Sequence, residues 1–505
     1  MTSEKRSLGD KVLVGATWIG AGRVAVRGIA VVSTLILARL LAPEDFGLVA
    51  VAMAVIALLS HMSDFGFNQA LIRFQDASRA DYDTAWTLNF IRGLLMSAFV
   101  VALALPLSHF YEEPRLANIM LALAIIPLVS GCENVRFIDL EKDMKFHPIA
   151  FVMIGAKVIS FIATVTVAVI TRSYWALIVG AIVSECVRLA APYWFVPYRP
   201  RLTFRKWRRL MSFSGWLLGA NFLQALSMRM DEPILQKVIA TQAVGIFYVS
   251  KDLVLTPMRE IATPVRRALF PGLSQLSTDS PMFANMYFSV VGGLFMIVAP
   301  IGVGITLVAS DAVPLLLGSQ WRDAVMPMQV FGVYIAVAVI GQTALSTVMA
   351  SGWTRLWFNR TAIMLPIQFG IFIPAAMNWG LKGAVIGLFL AGLVRTYLDI
   401  AMANRVIGSS LIDHLKPCRR TAVALLVMVL VVLGIAASIP PRQEFGASWY
   451  VAGALLCKAT LGAATYGIAH WILWNLAGCP DGPESRLLSL VRSLLMKKTA
   501  ADGPS

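Results

Sequence analysis

The stretch VLVGATWIGAGRVAVRGIAVVSTLILA, Val12 to Ala38, decides the fold. It exceeds the roughly 20 apolar residues that a helix needs to cross a bilayer, so it reads as a membrane-spanning helix. Two arginines, Arg23 and Arg27, sit one helical turn apart near its middle. Lipid cannot solvate a guanidinium, and burying one at mid-depth costs at least roughly 2.5 to 3.5 kcal/mol. The pair is therefore expected to face a polar cavity or a partner inside the protein, and a cationic interior points to binding or passage of an anion.

The rest of the chain has the same character. Of 505 residues 58% are hydrophobic and 14% charged, with a mean hydropathy of +0.73, a balance that no soluble domain of this size carries. Strand alternation is absent and the apolar runs are long, so the expected fold class is all-α, a polytopic helical membrane protein rather than a barrel. The formal charge of +15 does not imply nucleic acid, because the basic residues recur in short clusters between apolar segments. Cys132, Cys186, Cys418, Cys457 and Cys479 have no ligand or disulfide spacing, and no metal or cofactor is expected. The start, MTSEKRSLGDK, precedes a segment too long and too charged for a signal peptide, so the first helix is expected to stay attached.

Apolar runs punctuated by Pro, Gly and charge give about fourteen spans, near 12–38, 46–72, 84–108, 116–139, 147–170, 174–196, 211–239, 243–267, 283–309, 324–350, 356–376, 381–404, 420–439 and 448–476. Lys and Arg crowd the termini and the loops after even-numbered spans. The opposite loops hold only Arg39, Arg115, Arg172, Arg322, Lys382 and Arg442. Both termini are thus expected in the cytoplasm.

A shift of 198 residues aligns Thr17 to Ile72 with Gly215 to Phe270: Trp18 meets Trp216, Ala42 meets Ala240, Gly47 meets Gly245 and Ala70-Leu71 meets Ala268-Leu269. A six-span unit keeps its orientation on repetition, which implies two pseudo-symmetric six-helix lobes related by an axis along the membrane normal. The expected organisation is a lobe at 1–198, a basic linker at 199–210, a second lobe at 211–409, two further helices at 410–480 and a tail at 481–505. Phe204, Trp207 and Met211 recur at helical spacing in and beside the linker RPRLTFRKWRR, which suits an interfacial helix on anionic headgroups. In the tail, Leu487, Leu488, Val491, Leu494 and Leu495 share one face of an amphipathic helix.

On the first helix Gly20, Arg23, Arg27, Ala30 and Thr34 form a small and polar stripe. On the seventh span Asn221, Gln224, Met228, Asp231 and Glu232 form another, with Arg229 at its edge. The repeat register sets Arg23 against Asn221, so both stripes are expected to face a cavity between the lobes. Arg23 or Arg27 could equally pair with Asp231 or Glu232 and hold a closed state together. Glu185 with Arg188, and Arg395 with Asp399, have intrahelical ion-pair spacing. Asp64, Glu133, Asp139, Lys157, Lys251 and Asp252 lie near span ends, where water can reach them.

The runs LARLLAPEDFGLVAVAMAV, Leu37 to Val55, and SDFGFNQALI, Ser63 to Ile72, resemble the opening of bacterial polysaccharide transporters of the Wzx type. MRMDEPILQKVIATQAVGIFYVSKDL, Met228 to Leu253, and PVRRALFPGLSQL, Pro264 to Leu276, resemble the seventh and eighth helices of the same family. Its superfamily also holds lipid II flippases and multidrug exporters. The resemblance implies two lobes in alternating access that move an undecaprenyl-diphosphate-linked oligosaccharide across the inner membrane, for exopolysaccharide, capsule or O-antigen (lipopolysaccharide) assembly. It implies diphosphate contacts at Arg23 and Arg27, since arginines bind phosphate bidentately. Asn221, Gln224 and Arg229 are then candidates for sugar or phosphate, and Asp231 and Glu232 for gating or ion coupling. The implied partners are the lipid-linked oligosaccharide, membrane lipids, and polysaccharide polymerase and chain-length machinery. Lipid II flipping and drug extrusion are the alternatives within the superfamily. A membrane glycosyltransferase or polymerase is the alternative outside it, but would need a catalytic constellation in a sizeable loop.

Overall fold

The computed structural model describes residues 8–74, 76–211, 225–278, 280–438, 448–480, 482 and 484–485. Among these every regular element is helical and no strand occurs. Eleven helices are long and apolar enough to cross a membrane. The expectation of fourteen spans departs from that number in three places. Residues 212–224 of the seventh span lie outside the described residues. Thr241–Ser274 is one helix, but Lys251, Asp252, Arg259, Glu260, Arg266 and Arg267 make it too polar to qualify by composition. The eleventh and twelfth spans are merged in Thr354–Ile407, of 54 residues, where Gly380 has φ +57° and ψ −135°. At about 1.5 Å per residue an unbroken helix of that length would far exceed a hydrocarbon core of about 30 Å. Gly380 turns the chain back on itself: a Cβ on Gly383 would overlap the Ala375 carbonyl, and one on Gly387 would lie 3.1 Å from Phe372 Cα.

By packing, the chain divides into two compact units, Met1–Tyr248 and Val249–Ser505. In the first, helix ends are fixed by side chains that the sequence supplies locally. Asp45 accepts from the Ala42 amide at 3.0 Å ahead of Pro43–Met62. Ser78 and Asp81 form a reciprocal cap at the start of Arg79–Tyr111. Glu113 accepts from the Arg115 amide ahead of Pro114–Leu123. Leu8–Leu40 packs along Phe146–Thr171, which in turn packs on Trp175–Phe195. Val24, Phe151 and Ile170 are exposed apolar side chains on these helices, as lipid-facing positions require.

The basic segment 199–210 is not the interfacial helix that its spacing suggested. The chain has no regular structure from 197 to 204 and becomes helical only at Trp207. The reason is a run of hydrogen bonds to the start of Arg79–Tyr111. Thr203 N donates to Thr87 Oγ1 at 3.0 Å, Lys206 N to Thr84 Oγ1 at 3.3 Å, and the Tyr198 hydroxyl to Asp83 Oδ1 at 2.7 Å. Tyr198 and Leu210 enter the core formed by Phe67, Leu71, Tyr82 and Ile138. At the end of this segment Arg209 Nη2 lies 2.5 Å from Asp76 Oδ1, and its guanidinium stacks 4.3 Å from the Phe74 ring.

In the second unit Pro281–Ala312 is the central element, packed on Val325–Ala338, Arg419–Ser438 and Ser448–Leu476. Gly302 and Gly332 allow the first of these contacts: a Cβ on Gly332 would lie 2.5 Å from the Gly302 carbonyl. The last helix is tied in by Lys458 Nζ to Asp311 Oδ2 at 2.6 Å and by the Tyr466 hydroxyl to the Met296 carbonyl at 2.6 Å. The Arg395–Asp399 pair expected from intrahelical spacing does not form. Asp399 pairs with Arg360 at 2.5 Å, from before the Gly380 turn, and Arg395 donates to Gln368 Oε1 at 2.5 Å. The antiparallel return brings closer partners than the same helix offers. The amphipathic tail expected after Ser485 lies outside the described residues.

Candidate functional site

Arg23 and Arg27 are both half-buried on Leu8–Leu40. A Cβ on Gly22 would lie 3.2 Å from Ala150 Cβ, whereas one on Gly20 would meet nothing within 4 Å. Gly22 is the face turned to Phe146–Thr171, so the stripe of Gly20, Arg23 and Arg27 is turned away from that neighbour.

The seventh span is less regular than its pattern implied. Asn221 and Gln224 lie outside the described residues. Helix covers 225–229, Met230 leaves it, and a new helix, Asp231–Val238, begins. Asp231 and Glu232 are buried in the first turn of that helix, where the positive end of the helix dipole favours carboxylates. Arg229 is exposed and within electrostatic range of His61.

A second polar region, which sequence spacing did not assemble, lies wholly within the first unit. It is a cavity of ≈ 390 Å³ where Pro43–Met62, Arg79–Tyr111 and Ile125–Gly131 converge. Its walls include His61, Asp64, Asn68, Asn89, Arg92 and Glu133. Asp64 Oδ1 accepts from the Gly66 amide at 2.9 Å and lies 3.8 Å from Arg92 Nη1. Glu133 pairs with Arg188 at 3.6 Å, and Arg188 also reaches Glu185 at 3.3 Å, the intrahelical pair that spacing predicted. The helices are held close by a glycine contact, since a Cβ on Gly93 would lie 2.9 Å from Gly131 Cα. Asn134 fixes the loop beyond Gly131 by donating to the Pro192 and Val196 carbonyls at 3.2 and 2.7 Å. The signal was present in the sequence only as single charges at span ends.

A family profile described as polysaccharide biosynthesis protein matches residues 36–326. The chain belongs to that family. It is 25% identical over 419 residues to the lipopolysaccharide biosynthesis protein WzxC of Escherichia coli (strain K12), covering 80% of this chain and 83% of that one. It is 23% identical over 418 residues to the succinoglycan biosynthesis transport protein ExoT of Rhizobium meliloti (strain 1021), covering 82% and 84%. Among solved structures, lipid II flippase MurJ in an inward closed conformation aligns with a TM-score of 0.70 at 13% identity, covering 92% of this chain and 99% of that one. An inward-facing multidrug resistance MATE family transporter aligns with a TM-score of 0.57 at 14% identity, covering 75% and 94%. This polysaccharide biosynthesis family member therefore has the fold of those transporters and is a multi-pass membrane protein.

Proposed function

We propose that this chain is a flippase of the bacterial inner membrane that moves an undecaprenyl-diphosphate-linked oligosaccharide to the outer leaflet for exopolysaccharide, capsule or O-antigen assembly. The observation that carries the reading is the family match, extended over four-fifths of the chain by relatives named for polysaccharide and lipopolysaccharide biosynthesis. The protein acts as a transporter and not as an enzyme.

In this reading two lobes, 1–198 and 211–409, alternate between inward and outward openings, with 199–210 as linker, 410–480 as two added helices and 481–505 as a cytoplasmic tail. Both termini are cytoplasmic. Arg23 and Arg27 contact the diphosphate, whose charge must cross a region of low dielectric. Asn221, Gln224 and Arg229 contact sugar or phosphate, and Asp231 and Glu232 gate or couple an ion. Polymerase and chain-length proteins receive the product.

The test is purified protein in vesicles loaded with undecaprenyl-diphosphate-linked oligosaccharide, lipid II in a second arm and an organic cation in a third. Transport of the first alone is the expected result. Transport of lipid II in preference to it, or of the cation, would overturn the assignment.

A further inference from the structure

The cavity beside Asp64 is not accounted for by diphosphate binding or by lobe gating. Its charged lining is Asp64, Glu133 and Glu141 against Arg92, with Arg188 reaching Glu133 from outside. Asp64 and Glu133 are each paired with an arginine, and Arg229 lies within electrostatic range of His61, so the wall has little net charge and offers a phosphate no excess of positive charge. A neutral ligand rich in hydroxyls needs none. The ion pair of Asp64 with Arg92 presents acceptors and donors in fixed directions at little net charge. Asn68, Asn89, Ser60 and Ser130 add neutral groups that both donate and accept. Phe137, half-buried at the wall, supplies apolar surface against which the C–H face of a sugar ring can lie. The volume of ≈ 390 Å³ falls in the range of about 300–1,000 Å³ usual for small-molecule sites, enough for a short run of sugar rings.

From this geometry we infer that the cavity is a sugar-binding subsite of the first unit, which holds part of the glycan and selects for it. The inference rests on the flippase reading and names a determinant of its substrate. The walls are preorganised in the way such a site needs: Gly93 and Gly131 lock two helices together, Asn134 clamps the loop after Gly131, and the Gly66 amide holds the Asp64 carboxylate. With cytoplasmic termini the cavity opens at the inner end of the spans, where a lipid-linked glycan made in the cytoplasm is first met.

The experiment uses the full chain in nanodiscs and, as probe, the oligosaccharide released by mild acid from the host's own polyprenyl-linked pool, so that no diphosphate remains. Calorimetry should detect binding. Asn89→Ala and Asn68→Ala should each weaken it about five-fold, the loss expected for one neutral hydrogen bond, at unchanged melting temperature. Failure of the free oligosaccharide to bind, or binding indifferent to both asparagine variants, overturns the subsite. So does a sodium- or proton-dependent melting shift that Asp64→Asn abolishes while both asparagine variants bind the sugar normally, which would make the cavity a cation site. The flippase reading fails separately: wild-type protein that binds the oligosaccharide but moves no lipid-linked form in vesicles leaves the subsite standing and removes the transport.

Discussion

Gly47 and Gly245, equivalent in the 198-residue register, pack back to back. A Cβ on Gly245 would lie 2.8 Å from the Gly47 amide nitrogen and overlap the Pro43 carbonyl, and a Cβ on Gly47 would lie 3.0 Å from the Gly245 amide nitrogen. Each glycine follows a short connection, opens its helix and lets the other backbone approach. The same residue type is thus demanded at both repeat positions by one contact.

Alanine at either position forces two backbones apart, and overpacking of this kind costs about 1 to 3 kcal/mol. Gly47→Ala and Gly245→Ala should each lower the melting temperature in detergent. The control is Gly155→Ala, where a Cβ meets nothing within 4 Å and helix propensity predicts a gain of up to about 1 kcal/mol. Equal effects at all three sites would show that the close approach is not what the glycines serve.

The Arg360–Asp399 pair makes an asymmetric prediction. Both side chains are largely buried, at 13% and 19% exposure, and breaking such a pair costs about 3 to 5 kcal/mol. Arg395 and Arg266 also act on Asp399. Removing Arg360 therefore leaves the acid partly compensated, whereas Asp399→Leu leaves a cluster of arginines without a counter-charge. Asp399→Leu should be the more destabilising, and Arg360→Met/Asp399→Leu should recover part of the loss in a denaturant-monitored cycle. The reverse order would contradict this account.

How much was legible follows from where the partners lie. Apolar runs located the helices because the bilayer demands length and internal hydrogen bonding, and even the return at Gly380 falls between two expected spans. Glu185–Arg188 was readable because both residues share one helix. Asp64, Arg92 and Glu133 were not joined, since they come from three different segments and no period connects them. Arg395–Asp399 had the right spacing, yet lost to partners across the Gly380 turn. The interfacial helix expected from the spacing of Phe204, Trp207 and Met211 forms only from Trp207 on, because Thr87 and Thr84 take the Thr203 and Lys206 amides.

Asp76 lies outside the spans, and its hydrogen bond to Arg209 holds its carboxyl below the usual carboxylate range. A depressed folded-state value means that the contact stabilises fully above the ordinary value of 3.8 and is lost as pH falls through the depressed one. Amide exchange protection around 205–211, corrected for intrinsic rate, should hold from pH 7 to about pH 4 and decline below it. Asp76→Asn should show lower protection throughout and lack that decline. A wild-type profile identical to the variant's would remove the role of the pair.

Arg23 and Arg27 decide between a diphosphate contact and a purely structural pair. Replacing both with Gln keeps polarity and approximate size but removes charge assistance, worth about 1.5 to 3 kcal/mol per hydrogen bond to a charged group. One such loss weakens binding roughly ten-fold to over a hundred-fold. The double variant should insert and accumulate normally in the membrane, yet fail to restore polysaccharide export to a deletion strain. If the arginines only neutralise Asp231 and Glu232, which are buried, then removing all four charges leaves nothing unpaired, and export should return in the quadruple variant. The diphosphate assignment expects no return, because the quadruple variant still has no cation for the substrate. Full export by the arginine double variant at normal expression would sink that assignment outright.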